Sequence, residues 1–145
     1  MSKWWLLVVV FLAVGCSGIR HQIKVENQVE LDKEFIRRVV SYWQNRYNLE
    51  VKSAFSQEAP YVQEMVSLEK YANYLKLYVK QTPILTKVSL KKVTKQNKSD
   101  VCLDVELFLR YKDKTVKREL EDCWLKLRKT WYHVLRNPLI FPELN

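Results

Sequence analysis

The stretch that most constrains this chain is residues 121–138, EDCWLKLRKTWYHVLRNP, which brings two tryptophans close together near the C-terminus. Residues 116–127 alternate with a period of two, which predicts a β-strand with one buried face. A tight turn at 128–129 would return the chain as a second strand and form a hairpin. The predicted register contains two cross-strand pairs, Trp124 with His133 and Leu125 with Tyr132. The turn has neither Gly nor Asn, so a slightly longer loop is the alternative to a two-residue turn. Most of the upstream chain is expected to pack against this hairpin.

Residues 1–15 have the composition of a secretory signal peptide. Lys3 supplies a positive charge, and residues 4–14 form an uncharged apolar run that is too short to span a bilayer comfortably. Cys16 directly follows Gly15. This arrangement resembles the signal of bacterial lipoproteins, and the resemblance implies that Cys16 becomes the acylated N-terminus that anchors the chain in the lipid bilayer. The alternative is a transmembrane anchor or a buried helix with a chance cysteine.

The same resemblance implies a location in the cell envelope. Ser17 follows the cysteine where inner-membrane retention would favour Asp, so in a host with two membranes we expect outer-membrane sorting, facing the periplasm. Residues 16–30 are polar and weakly periodic, which predicts a tether that leads to a domain at residues 31–145. His21 lies in this tether without a neighbouring ligand and is expected to be a solvated loop residue.

The composition favours one ordinary globular domain. The chain has 145 residues and a net charge of +9, which is long enough for a real core. Its two glycines both precede residue 19, so Gly-dependent nucleotide loops are excluded and no cofactor is expected. Lys and Arg outnumber Asp and Glu, and the basic residues are densest at 87–98. This excess of positive charge favours an envelope protein or an anionic surface as partner. The alternative is that Lys and Arg only keep the surface soluble. An exported chain meets little nucleic acid, so none is expected as a partner.

Three cysteines fit an exported chain. If Cys16 is acylated, Cys102 and Cys123 remain as a pair in a potentially oxidising compartment. They lie on successive predicted strands and would be directly opposite if the connecting turn is at 112–113, within disulfide range. The alternative is two free thiols. No Cys-x-x-Cys or His-rich spacing supports a metal site.

The order of predicted elements indicates an α+β fold. A first helix at 31–47 carries a large apolar residue at every fourth position, namely Phe35, Val39, Trp43 and Tyr47. A short helix at 49–55 and a third helix at 68–76, with Ser67 as its N-cap, follow. Strands are then predicted at 84–93, 100–112 and 116–127, followed by the second strand of the hairpin. Helices followed by a strand meander are typical of the α+β class.

The local pattern Asp122-x-Trp124-Leu125-Lys126 followed by Thr130-Trp131-Tyr132-His133-Val134 resembles the last hairpin of the NTF2-like superfamily. This chain has Arg-Lys at 128–129 where that hairpin has a glycine. The resemblance covers residues 31–138 and implies a cone, in which the first helix lies across a curved antiparallel sheet. It also implies that the outer sheet face, with an acidic stripe at Asp104, Glu106, Glu119 and Glu121, is a surface on which a homodimer could form. The superfamily hosts many unrelated functions, so function has to be argued from the site.

The resemblance implies a pocket between the first helix and the concave sheet face. Trp43, Arg118 and Trp124 are expected to line it, and Asp122 and His133 are the candidate catalytic residues, because a paired Asp and His can perform general acid–base catalysis. The first alternative is that Asp122 pairs with Arg118 and His133 is a satisfied sheet histidine. The second is a ligand pocket without catalysis.

Three functions remain open at this point. The first is a membrane-tethered envelope lipoprotein with a non-catalytic NTF2-like domain for binding or assembly. The second is a pocket enzyme of the isomerase, dehydratase or cyclase type, which would show Asp122 and His133 in an open cavity. The third is a component of an envelope secretion complex, which would expose a contiguous apolar or basic patch. A cone filled by Trp43 and Trp124 would favour the non-catalytic function.

Overall fold

The computed structural model describes residues 22–78 and 83–144. The predicted signal peptide at 1–15, the lipidation site Cys16 and the tether residue His21 lie outside the described residues. The described elements, in chain order, are β1 (Lys24–Asn27), α1 (Lys33–Tyr47), α2 (Val51–Ser56), α3 (Pro60–Met65), α4 (Leu68–Tyr78), β2 (Ile84–Gln96), β3 (Asp100–Tyr111), β4 (Lys114–Leu127), β5 (Thr130–His133) and a 3₁₀ turn (Pro142–Leu144). The predicted α+β class is confirmed, because the helices precede and pack on a strand meander.

The five strands form one sheet in chain order, with β1 and β5 at its two edges. β2, β3, β4 and β5 are joined in antiparallel pairs, whereas β1 runs parallel to β2. The sheet is therefore mixed and not purely antiparallel as expected. One face of β3 is buried against α1 through Val101, Leu103, Val105, Leu107 and Leu109, and this alternation of buried and wetter residues is typical of an antiparallel sheet.

Strand β1 corrects the prediction of a polar tether over residues 16–30. Residues 24–27 pair with residues 87–90 of β2. Three apolar neighbours of this strand also pack against the core: Ile23, Val29 and Leu31. The four residues of this edge strand have mostly exposed side chains, so their sequence shows no alternation that would predict a strand. Backbone pairing with β2 holds the strand in place.

Helix α1 lies across the sheet and buries the stripe that its spacing predicts: Phe35, Val39, Trp43 and Tyr47. Each large apolar side chain buried in this way contributes roughly 1.5–3 kcal/mol relative to an exposed one. The negative charge of Glu34 in the first turn and the positive charge of Arg46 in the last turn interact favourably with the helix dipole. The helix ends before Leu49, whose φ of 55° is incompatible with a right-handed helix.

A second core lies among α2, α3, α4 and the C-terminal tail. Helix α3 lies between the helices that the sequence predicts at 49–55 and 68–76 and was not predicted. Pro60 is the first residue of α3, where its missing N–H leaves no helical hydrogen bond unmade. The predicted N-cap of α4 is confirmed, since Ser67 Oγ accepts a hydrogen bond from Lys70 N at 3.1 Å. The tail contributes buried Leu135 and Phe141 to this core.

The β4–β5 hairpin has the predicted two-residue turn. Arg128 and Lys129 both have positive φ angles, 48° and 68°, as a tight hairpin turn of the primed type requires. The register Trp124–His133 and Leu125–Tyr132 is confirmed. It places Trp124 and His133 on the face that α1 covers.

The β3–β4 hairpin turns at residues 112–113 and pairs Cys102 directly with Cys123. The two cysteines form a disulfide, with their Cα atoms 4.0 Å apart. Both side chains lie opposite the face that α1 covers, because their neighbours Val101, Leu103 and Trp124 point into the core. The disulfide thus joins the two central strands from the outer face of the sheet.

Candidate functional site

A buried histidine lies between two carboxylates at the end of β5. The Nδ1 atom of His133 is 2.8 Å from Glu58 Oε2, and its Nε2 atom is 3.0 Å from Asp122 Oδ1. His133 is 6% exposed, Asp122 1% and Glu58 0%. The structure therefore brings together the two candidate catalytic residues, Asp122 and His133, and adds Glu58, which sequence reasoning missed.

Backbone hydrogen bonds at the edge of β5 position Glu58 against His133. Ala59 N donates to His133 O, and His133 N donates to Gln57 O, each at 2.8 Å. The short segment between α2 and α3 therefore continues the sheet beyond β5 by one bridge. Glu58 is a single charged residue before Ala-Pro in a loop, a context that has no periodicity and gives no sequence signal for burial.

Two tyrosines hold the Glu58 carboxylate. Its Oε1 atom accepts hydrogen bonds from the Tyr42 hydroxyl at 2.5 Å and the Tyr71 hydroxyl at 2.8 Å. Arg46 donates to the hydroxyls of Tyr42 and Tyr74, both at 3.1 Å. These side chains come from α1 and α4, so the network ties both helices to the end of β5.

Two tryptophans hold the Asp122 carboxylate. Its Oδ2 atom accepts hydrogen bonds from Trp43 Nε1 and Trp124 Nε1, each at 2.9 Å. Its Oδ1 atom has no hydrogen bond of good geometry, so its 3.0 Å contact with His133 is chiefly electrostatic. Arg118, the alternative partner of Asp122, donates a hydrogen bond from Nη1 to the Tyr47 hydroxyl at 3.4 Å.

Aromatic rings enclose the imidazole of His133. The Tyr42 ring stacks on it with a centroid distance of 4.1 Å and an interplanar angle of 20°. Trp43 and Trp124 meet it edge-on at 6.1 and 5.5 Å. This packing excludes water from most of the ring and strengthens its interactions with the two carboxylates.

The charges of the cluster compensate one another. Burial by itself lowers the pKa of His133, but the negative charge of Glu58 and the contacts with Asp122 outweigh it and raise the pKa to about 9. The imidazole is thus protonated at neutral pH. Burial raises the pKa of both Tyr42 and Tyr71, so both remain neutral hydrogen-bond donors. Two carboxylates then face one imidazolium and the guanidinium of Arg46.

This arrangement is poorly suited to general base catalysis. A general base needs an unprotonated nitrogen within reach of substrate. Both ring nitrogens of His133 face carboxylates, and Asp122 is held by two indoles in the interior. The geometry instead resembles a buried ion cluster, in which each charge is satisfied by its neighbours.

A cavity of about 210 Å³ beside His133, the lateral cleft, reaches the cluster from outside. Trp43 and Arg118, two of the residues predicted to line a pocket, do line this cleft together with His133. Trp124 is fully buried behind His133 and is not among the residues that line this cleft. Its large apolar ring gains more from burial in the core than from a place in a wet cleft.

The outer sheet face carries a second, open groove of about 410 Å³. The predicted acidic stripe lines it, together with Lys91: Asp104, Glu106, Glu119 and Glu121. Lys117 forms ion pairs with Glu106 and Glu119 across this face, at 3.5 and 2.5 Å. The stripe is therefore partly neutralised by lysines.

Potential metal ligands cluster at one place in the described part of the chain, where Cys102, Cys123 and Glu121 meet. Both sulfur atoms are consumed by the disulfide, which leaves no thiolate to bind a metal. Among residues 22–78 and 83–144, no helix combines the length and apolar character needed to cross a membrane.

Comparison with known proteins shows the fold but no family. No protein-family model and no curated protein matches the chain. The solution structure of a SEC-C motif protein from Rhodopseudomonas palustris has a TM-score of 0.54 at 8% identity, covering 68% of this chain and 73% of that one. A SEC-C motif protein from Psychrobacter arcticus has a TM-score of 0.52 at 10% identity, over 74% of this chain and 62% of the other.

A putative NTF2-like transpeptidase from Campylobacter jejuni is also similar. Its TM-score is 0.52 at 12% identity, and the match covers 70% of this chain and 98% of that structure. Identities this low support a shared fold and carry no information about the reaction. The described domain is thus an α+β domain similar in fold to NTF2-like and SEC-C motif proteins.

Proposed function

We propose that this chain is a cell-envelope lipoprotein whose NTF2-like domain is a non-catalytic module for binding or assembly. The observation that carries the proposal is the enclosure of His133, whose two ring nitrogens both face buried carboxylates. A histidine in this position has no lone pair to offer a substrate, so its interactions stabilise the fold.

The filling of the interior supports the same function. Trp43, Trp124 and Phe35 are fully buried between α1 and the sheet, in the space where a cone-shaped enzyme would hold its substrate. Phe35 contacts Trp124 edge-on at a centroid distance of 5.8 Å. Among the described residues, the cleft that reaches His133 is small and opens at the side of this packed interior.

The position of β1 bears on the proposed membrane tether. If Cys16 is acylated, seven residues lie between it and Lys24, the first residue of β1, and the eight Cα–Cα steps from Cys16 to Lys24 span at most about 28 Å. β1 pairs with β2. Four lysines lie on β2 and a fifth lies in the loop that follows it: Lys87, Lys91, Lys92, Lys95 and Lys98. Lys87 pairs with Glu26, whereas Lys92, Lys95 and Lys98 are exposed. Basic residues near an anionic membrane surface each contribute about 1 kcal/mol of attraction.

Metabolic labelling of the whole chain with a fatty-acid analogue tests the tether. Labelled protein should appear in the membrane fraction for the wild type and disappear for Cys16→Ala. Ser17→Ala, which leaves the acceptor cysteine in place, is the matched control and should still be labelled. Label retained by Cys16→Ala would contradict lipidation at this residue.

The protonation state of His133 tests the non-catalytic function. The chain has two histidines, so a His21→Gln variant leaves His133 as the sole source of imidazole ¹⁵N signals. We expect both ring nitrogens to be protonated at pH 7. A neutral imidazole with one free nitrogen at this pH would instead support acid–base catalysis.

A pocket enzyme is the second candidate, because the lateral cleft reaches the edge of the His133 ring. In that case small carbonyl compounds should be turned over by the wild type. His133→Gln and Asp122→Asn should remove the turnover while circular dichroism shows a retained fold. Activity that survives both substitutions would assign the reaction to a contaminant or to another site.

A further inference from the structure

We infer that the lateral cleft beside His133 binds a small organic anion, with an acidic group attached to an apolar body. This inference rests on the proposed binding function and adds the chemical class of the ligand. The lateral cleft lies between α1, α4, β4, the end of β5 and the segment that follows β5.

A buried arginine forms the inner wall of the lateral cleft. Arg46 is 7% exposed, and no carboxylate of the described residues lies within salt-bridge distance of it. It donates to the hydroxyls of Tyr42 and Tyr74, and a guanidinium has five N–H groups, so donors remain. A buried cation with spare donors and no carboxylate in direct contact is suited to an anionic ligand.

Aromatic rings hold this guanidinium in place. Its central carbon lies 5.6, 5.0 and 5.2 Å from the ring centroids of Tyr42, Trp43 and Tyr74. Trp43 and Tyr74 also line the lateral cleft. The cation is therefore ordered before a ligand arrives, which reduces the entropy lost on binding, and the same rings offer an apolar surface.

Two further arginines line the lateral cleft. Arg118 comes from β4 and Arg136 from the segment after β5. The inner cluster is already balanced, because Glu58 and Asp122 face the imidazolium of His133 and, through the Tyr42 hydroxyl, Arg46. Arg118 and Arg136 bring two further positively charged side chains to the lining of the cleft, and clustered charges of one sign attract a ligand of the opposite charge.

The one acidic residue among the described lining residues is turned away. Glu121 Oε2 accepts a hydrogen bond from Thr94 Oγ1 at 2.8 Å, and its Oε1 lies 3.9 Å from Cys123 Sγ. Both contacts are on the outer sheet face, where the disulfide lies. Its carboxylate therefore does not occupy the donors of Arg46.

The size and walls of the lateral cleft set the kind of anion. A volume of 210 Å³ is below the range of drug-sized pockets, which is about 300–1,000 Å³. Leu120 and Leu135 complete the apolar walls. A small aromatic or aliphatic acid can pair its acidic group with the arginines and pack its apolar body against the apolar walls. An inorganic anion can only pair with the arginines.

Calorimetric titration of the full chain in a neutral detergent, at constant ionic strength, tests this inference with three probes. Benzoate should bind saturably. Benzamide, which has the same shape without the charge, should bind at least tenfold more weakly, and so should inorganic phosphate, which lacks the apolar body. Arg136→Gln should weaken benzoate binding about tenfold, while Arg128→Gln, at the exposed hairpin turn, should not change it.

Any of three binding results would overturn the inference: no saturable benzoate binding, equal binding of benzoate and benzamide, or equal binding of benzoate and phosphate. An equal loss in Arg136→Gln and Arg128→Gln would show general charge attraction and would overturn it as well. None of these results affects the labelling of Cys16 or the protonation of His133, so failure of the cleft is distinguishable from failure of the proposed function.

Discussion

Trp43 and Trp124 donate their indole N–H groups to the same oxygen, Asp122 Oδ2, each at 2.9 Å. One indole comes from α1 and the other from strand β4, so one buried carboxylate joins the helix layer to the sheet. The opposite oxygen of Asp122 faces His133, which Glu58 holds from the other side. This polar cluster in the domain interior thus also links the two layers.

Asp122→Ala should lower the free energy of unfolding by about 3–5 kcal/mol. The substitution leaves two buried indole N–H groups unsatisfied and removes one of the two carboxylates that face His133. Urea unfolding followed by tryptophan fluorescence measures the change. Asp104→Ala, an exposed acid on the outer face of the neighbouring strand, is the control and should change stability by less than about 0.5 kcal/mol.

Glu58→Gln should lower the pKa of His133 well below 9. The amide keeps an oxygen that can accept from Tyr42 and Tyr71, but it removes the charge that offsets the burial of the imidazole. NMR titration of the imidazole in the His21→Gln background measures the pKa. The control is Glu64→Gln, at a solvent-exposed position, which should leave the pKa of His133 unchanged. An unchanged pKa of His133 in Glu58→Gln would mean that Asp122 alone keeps the imidazole protonated.

Stability should fall as the pH rises through 9. The pKa of His133 is about 9 in the fold and about 6.5 in an unfolded chain. The folded value is the higher one, so the stabilising contribution is fully present below pH 6.5 and is lost between there and pH 9. The full effect is about 3 kcal/mol. Urea unfolding from pH 6 to 9.5 measures it, and a His133→Gln variant should show a flatter profile over this range.

The β4–β5 turn should become more stable when its residues match its backbone. Arg128 and Lys129 adopt positive φ angles, which cost about 1–2 kcal/mol for a residue with a Cβ atom. Arg128→Asn combined with Lys129→Gly should raise the free energy of unfolding by about 1 kcal/mol. The matched control is Lys126→Gly within β4, where glycine should destabilise the strand. A loss of stability in the double variant would indicate that the two side chains have contacts that outweigh the backbone gain.

Reducing the Cys102–Cys123 disulfide should lower stability by about 2–4 kcal/mol. The bond joins residues 21 positions apart and restricts the unfolded chain. Thermal unfolding with and without a reductant measures the loss. A Cys102→Ala, Cys123→Ala double variant is the control, because it should unfold at the same temperature in both conditions.

The strand register around His133 could be predicted from the sequence, whereas the full set of residues that contact His133 and its carboxylates could not. The period-two alternation of residues 116–127 and the position of the turn place Asp122, Trp124 and His133 near one another. Glu58 has no such signal, because it lies in an irregular segment whose position depends on how α2 and α3 pack. Tyr42 and Arg46 lie beside the apolar stripe of α1, and only the position of Glu58 and Tyr74 explains why they are buried.

The sequence by itself determined the α+β class and the stripe of α1, and it predicted the turns of both hairpins, because each depends on periodicity or turn chemistry within one local segment. The sequence left a longer β4–β5 loop and two free thiols open, and the structure decided for the two-residue turn and the Cys102–Cys123 disulfide. Only the tertiary structure decided three other features: the parallel strand β1, the start of α3 at Pro60 and the carboxylate that Glu58 adds to His133. These depend on contacts between segments far apart in the chain. The free energy of burying their polar groups is favourable only after the partners have been brought together.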